Sequence, residues 1–159
     1  MAFFVSVPPV CGRTGEVHTT VQNALMTPAT DDQHRRCIYL QGVANLVAGD
    51  AVTYDEAGVT TLLAANAKGP VAFASATTDA TTEYGWFYLT APKGVTLNGV
   101  ASIADNGTVG KETTDGKLGD GRVAGDQIIG AIARSATSGA GDVTVQIVDG
   151  PFVDDFQGA

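Results

Sequence analysis

The chain has 159 residues, enough for one domain or two small lobes sharing a core, and carries a formal charge of −8. Only 16% of its residues are charged and 44% are hydrophobic, with 20 glycines, so the composition is that of an ordered chain poor in helix formers. An acidic chain without Lys/Arg clusters repels phosphate, which argues against direct nucleic-acid binding, and no run approaches the ~20 apolar residues of a membrane span.

Residues 1–36 lack sustained periodicity. They hold Pro8, Pro9 and Pro28, both histidines, and the polar run Asp31-Asp32-Gln33-His34-Arg35-Arg36, in which charges cancel. Between Glu16 and Met26 the β-branched Val17, Thr19, Thr20 and Val21 weaken a helix. The segment is expected to be an extended arm with at most one short strand or turn. It has no basic start followed by a long apolar run, so it does not read as a signal peptide. Cys11 and Cys37 are the only cysteines; their spacing permits one bridge but forms no disulfide framework.

Regular patterning begins at Cys37. Cys37-Ile-Tyr-Leu-Gln-Gly-Val43 reads as a strand entering a β domain over residues 37–150. Ala51–Tyr54 follows an Ala-Gly-Asp turn, Val59–Leu63 follows Glu56-Ala57-Gly58, and Val71–Ser75 is a strand of small residues. In Glu83–Thr90, Tyr84, Trp86 and Tyr88 share one face while Phe87 and Leu89 share the other. A second series follows: Val95–Ile103, Thr108–Glu112, Leu118 after the hairpin pair Asp115-Gly116, Gln127–Arg134, and Asp142–Val148 with Val143, Val145 and Ile147 inward. Residues 151–159 are expected to leave the sheet as a tail.

The two series match at a spacing of 57–58 residues. Val52 falls against Val109, Gly58 against Gly116, Val71 against Ile129, and Trp86 against Val143. What repeats is an order of turns and strands, over about 46–90 and about 103–148. The fold class read from this is all-β, a small barrel or sandwich built from two similar β units behind an N-terminal arm.

Chemistry is sparse. His18 and His34 have no partner at metal-ligand spacing, no G-x-S-x-G elbow is present, and Cys11 lies in no nucleophile pattern. Asp50, Asp55, Glu56, Asp115 and Asp120 precede turns and lack the alternation and closing Glu of a calcium loop, so turn chemistry explains them. No catalytic, metal or cofactor residue is assigned. The aromatic strand Tyr84-Trp86-Tyr88 reads as core or subunit contact before it reads as a sugar platform. Phe3, Phe4, Phe152 and Phe156 lie outside the strand pattern and are candidate interface anchors. Arg35, Arg36 and Trp86 join them.

The run Asp31–Gly42 with Val47–Val52, and the ending Ala124-Gly-Asp-Gln-Ile-Ile-Gly-Ala-Ile-Ala through Gly141-Asp-Val-Thr-Val-Gln-Ile147, resemble tailed-phage head-decoration (cement) proteins. The resemblance covers about three-quarters of the chain. It implies a structural virion protein, not an enzyme, made in the host cytoplasm and placed on the capsid surface. It also implies a homotrimer whose partner is the major capsid protein. A carbohydrate-binding β module is the alternative, as is another virion part such as a head-fibre base or tail component.

Overall fold

The structure is a computed structural model that describes residues 14–122 and 125–153. The described residues form twelve strands and no helix: β1 (Val17–His18), β2 (Pro28–Thr30), β3 (Arg36–Gln41), β4 (Ala51–Tyr54), β5 (Thr60–Leu62), β6 (Gly69–Ala74), β7 (Tyr84–Tyr88), β8 (Ala91–Gly99), β9 (Thr108–Lys111), β10 (Leu118–Gly119), β11 (Gln127–Ala133) and β12 (Gly141–Val153). All belong to one mixed sheet that curls into a partial ring.

Strand pairing is cyclic in the second half. β8 pairs β12, β12 pairs β11, β11 pairs β9, and β9 pairs β10, all antiparallel. β10 then meets β8 in parallel at Leu118 and Gly99. The first half follows the same order: β3 with β7, β7 with β6, β6 with β4, and β4 with β5. A parallel bridge between Gln41 and Val59, just before β5, brings it back to β3.

Registers agree as well as strand order. Leu40 faces Gly85 as Leu97 faces Val143, and Thr53 faces Thr61 as Gly110 faces Gly119. Phe73 faces Tyr88 as Ile132 faces Gln146. These pairs lie one sequence repeat apart, give or take a residue. The hairpin turns also match, since Gly58 and Gly116 have φ of 77° and 78°. Only glycine takes that left-handed conformation without a steric cost, so the turn chemistry fixes where each hairpin reverses.

Burial follows the period-2 rule, with a difference between the halves. In β3, β6 and β7 both faces are covered. Ile38, Leu40, Ala72, Ala74 and Phe87 join Val52 and Leu46 in a smaller core cluster. The alternate residues Cys37, Tyr39, Val71, Phe73, Trp86 and Tyr88 join a larger one, which also takes Leu97, Val109, Leu118, Ile128, Val143, Val145 and Ile147 from the second half. Strands buried on two faces read as continuous apolar runs, which is why Cys37–Leu40 and Val71–Ala74 show no polar alternation.

Residues 14–36 differ from the arm expected of them. β1 pairs β7 at Val17 and Gly85, and β2 pairs β3 along its length. Met26 N donates to Tyr39 O (2.8 Å), Tyr39 N donates to Thr27 O (3.0 Å), and the Tyr39 hydroxyl bonds His18 Nδ1 (3.0 Å). Arg36 lies within β3, so 36 is not a boundary. The segment is irregular because it is held mainly by backbone pairing, adding only Ala29, Leu25 and Met26 to the core clusters. The tail is likewise shorter than expected: residues 151–153 continue β12, where Phe152 and Val153 pair both β11 and β6.

Burial pushes the Tyr39 phenol above its usual range, with the backbone bond from Gln22 opposing; Tyr54 rises from burial alone. Tyr88 also rises through burial, against the opposing charge of Arg35. The folded chain therefore holds phenol protons that the unfolded chain releases above ~pH 10. There the unfolded state binds fewer protons, so stability is intact below ~pH 10 and falls as pH rises through the folded values. The thermal midpoint, followed with phenolate absorbance from ~pH 9 to ~pH 11.5, should fall in that window. A flat midpoint with free phenolate formation would show these phenols ionising in the folded protein.

Candidate interaction surface

β11 begins inward at Ile128 and then changes parity. Gly130 has φ of 86°, the ladder to β12 shifts between Ile129 and Ala131, and a Cβ on Gly130 would lie 2.9 Å from the Asp149 carbonyl oxygen. This bulge re-aims the neighbouring side chain. Ile128 and Ala131 are inward, whereas Ile129 is 55% exposed. On β12, Ile129 faces Phe152, and Phe152 faces Pro70 on β6. Phe152 is 40% exposed and Pro70 is also exposed.

Directly paired residues have side chains about 5 Å apart on one face. Pro70, Phe152 and Ile129 therefore form an apolar row across three strands, where β6 of the first half meets β11 and β12 of the second. Val148, 60% exposed, lies on β12 near the bulge. Arg36 Nη1 reaches Asp149 Oδ1 at 3.1 Å beside it, with both side chains in solvent. Such a pair adds little stability and leaves both charges open to a partner.

The other candidates separate by position. Phe3, Phe4, Phe156 and Cys11 lie outside the described residues. Arg35 is partly buried and already engaged: its Nε donates to Asp31 Oδ2 at 2.6 Å, and its guanidinium sits 4.6 Å from the centre of the Tyr88 ring. Asp31 is itself buried and also accepts the backbone amides of Gln33 and Arg35. Trp86, expected at an interface, is 5% exposed and meets Tyr39 edge-on at 5.1 Å. Tyr84, Trp86 and Tyr88 do share a face, but that face belongs to the larger core, so they present no platform to a sugar.

A groove of about 450 Å³ lies between the halves, lined by Arg35, Ser75, Tyr88, Asn98 and Asp142 among others. Its one cation is already engaged by Asp31. The acidic turns behave as turns: Asp55 Oδ1 accepts the amides of Ala57 and Val59, and Asp120 Oδ1 accepts that of Arg122. Among the described residues no three His, Cys, Asp or Glu side chains gather as metal ligands.

One polar cluster is buried between the halves, and turn chemistry alone does not account for it. Asp50, 1% exposed, opens β4; its Oδ2 accepts Val47 N at 3.1 Å, as a turn cap would. Its Oδ1 accepts from Asn98 Nδ2 (2.6 Å) and from Lys117 Nζ, both on the second half. Around it, Ala51 N donates to Gly116 O (2.8 Å) and Asn98 N to Gly49 O (3.0 Å). The sequence signal was the hairpin Asp115-Gly-Lys117, whose lysine follows the reversing glycine.

Compared with known protein families, with curated proteins and with solved structures, the chain matches none of them.

Proposed function

We propose that this protein is a structural virion component that binds the outer surface of a phage head and bridges major capsid proteins, acting as a trimer. In this reading the described chain is a tandem of two related five-strand units, with the apolar row as a docking face. The observation that carries it is the row Pro70–Phe152–Ile129, built where the two halves meet and exposed among the described residues. The likeness of Asp31–Gly42 and of the closing strands to head-decoration proteins supplies the partner. A protein that binds only the assembled lattice stabilises it by mass action.

The test is co-sedimentation of the purified chain with expanded, undecorated heads, followed by electron cryomicroscopy of the decorated particle. Ile129→Ser with Phe152→Ser should weaken binding about 30-fold, the loss expected of an apolar anchor pair worth ~2 kcal/mol. Its thermal midpoint should move less than binding does, by no more than about 5 °C, because both side chains are about half exposed and outside the core clusters. Binding unchanged in this variant would remove the row from the interface. Failure of the intact chain to bind any head would sink the function itself.

A further inference from the structure

Lys117, Asn98 and Asp50 have the composition of a self-reacting site. The parallel pairing of Leu118 with Gly99 sets Lys117, in the turn before β10, beside Asn98 on β8, so an amine and a primary carboxamide occupy adjacent positions. The buried Asp50 carboxylate touches both through the same oxygen. The carboxamide is held in place: Nδ2 also donates to Ala48 O at 2.8 Å, and the amide group rests on Gly49, where a Cβ would lie 3.3 Å from Asn98 Cγ. Gly116 covers Asp50, with room for a Cβ only 3.2 Å from Oδ2. A salt bridge between Asp50 and Lys117 would need none of this fixation of the neighbouring amide.

We propose that Lys117 and Asn98 join in an intramolecular isopeptide bond, with Asp50 as the proton carrier. Asp50 takes a proton from the Lys117 ammonium, and the neutral Nζ attacks Asn98 Cγ. The protonated Asp50 then returns the proton to Nδ2 as the Cγ–Nδ2 bond breaks, and the second Nζ proton passes through the freed Asp50 carboxylate to the departing ammonia. One N–C bond forms, one breaks, ammonia leaves as the ammonium ion, and the Asp50 carboxylate is regenerated. No oxidant, reductant or cofactor enters the balance. Amide aminolysis is very slow in water, but fixed placement of amine and amide supplies an effective molarity of about 10⁵–10⁸ M. A positioned acid–base group adds roughly 10²–10⁴-fold. The product ties β8 covalently to the turn that opens β10. It is independent of what the protein binds.

Intact mass spectrometry of the purified full chain tests this. The wild-type mass should be about 17 Da below that of its sequence, the mass of ammonia. Lys117→Arg keeps the charge and the contact with Asp50 and should show no loss, as should Asn98→Ala. Trypsin should release a branched peptide joining residues 94–111 to residues 112–122, because acylated Lys117 is not cut. A wild-type mass equal to that of the sequence overturns the proposal. So does a loss that persists in Lys117→Arg, since Asn98-Gly99 or Asn106-Gly107 would then have closed to a succinimide of the same mass.

Discussion

Asp50→Ala is expected to melt about 10 °C below the wild type. Removing one partner of a buried ion pair costs about 3–5 kcal/mol, and each kcal/mol shifts the midpoint of a chain this size by roughly 2–4 °C. In the unbonded chain three donors lose their acceptor at once, Lys117 Nζ, Asn98 Nδ2 and the amide of Val47, and without its proton carrier the variant also stays unbonded. Lys117 is 23% exposed and regains some water, which places the cost near the lower end of that range. Asp55→Ala is the matched control, because Asp55 caps a turn within one half and is exposed. The thermal midpoints of the two variants decide the matter. Equal, small shifts would mean that Asp50 is only a turn residue and that the halves are held by apolar contact alone.

Gly110→Ala should damage the second half more than its one methyl group suggests. A Cβ there would lie 2.5 Å from the Asp126 carbonyl oxygen and 2.5 Å from Gly121 Cα. Both neighbours are backbone, so no side chain can turn aside. The ladder that pairs Gly110 with Gly119 and Gln127 must open instead. Overpacking of this type costs about 3 kcal/mol at its upper end, a fall in midpoint of roughly 6–12 °C. Gly139→Ala, where the added Cβ meets nothing within 4 Å, should be close to neutral. Hydrogen exchange would place the damage: faster exchange confined to β9–β11 supports the account, and uniform loss across β3–β7 contradicts it.

Most strands were legible because turn and strand residues alternate with little interruption. Ala51–Tyr54 and the starts of β9 and β11 lie where glycine turns and β-branched runs placed them. Val143, Val145 and Ile147 are inward as their alternation required. What escaped has physical causes. β1 and β2 pair through backbone atoms, which leave no hydrophobic period to read. Ile129 is exposed while Ala131 and Ala133 are inward, because the Gly130 bulge reverses the parity that simple alternation assumes. A lone glycine inside a strand pattern was the available signal. Trp86 was misplaced for the opposite reason: a strand buried on both faces looks the same as one with an exposed aromatic face. Asp50 was read correctly as a turn residue, and only its second oxygen, facing a lysine far along the chain, lay beyond sequence spacing.

The long reach of β12 also has a consequence in time. The first cycle of strands is complete in sequence at Tyr88, so it can close while the remainder is still being synthesised. The second cannot. β8 takes most of its partners from residues 141–147 of β12, and until they leave the ribosome its long edge is unpaired and Leu97 and Val109 lack the cover of Val143, Val145 and Ile147. Closure that must wait for distant sequence is slow and leaves strand edges open to other nascent chains. The waiting edge carries its own protection: Pro92 withholds an amide, Lys93 adds charge, and Gly94, at φ 87°, bends the strand out of line.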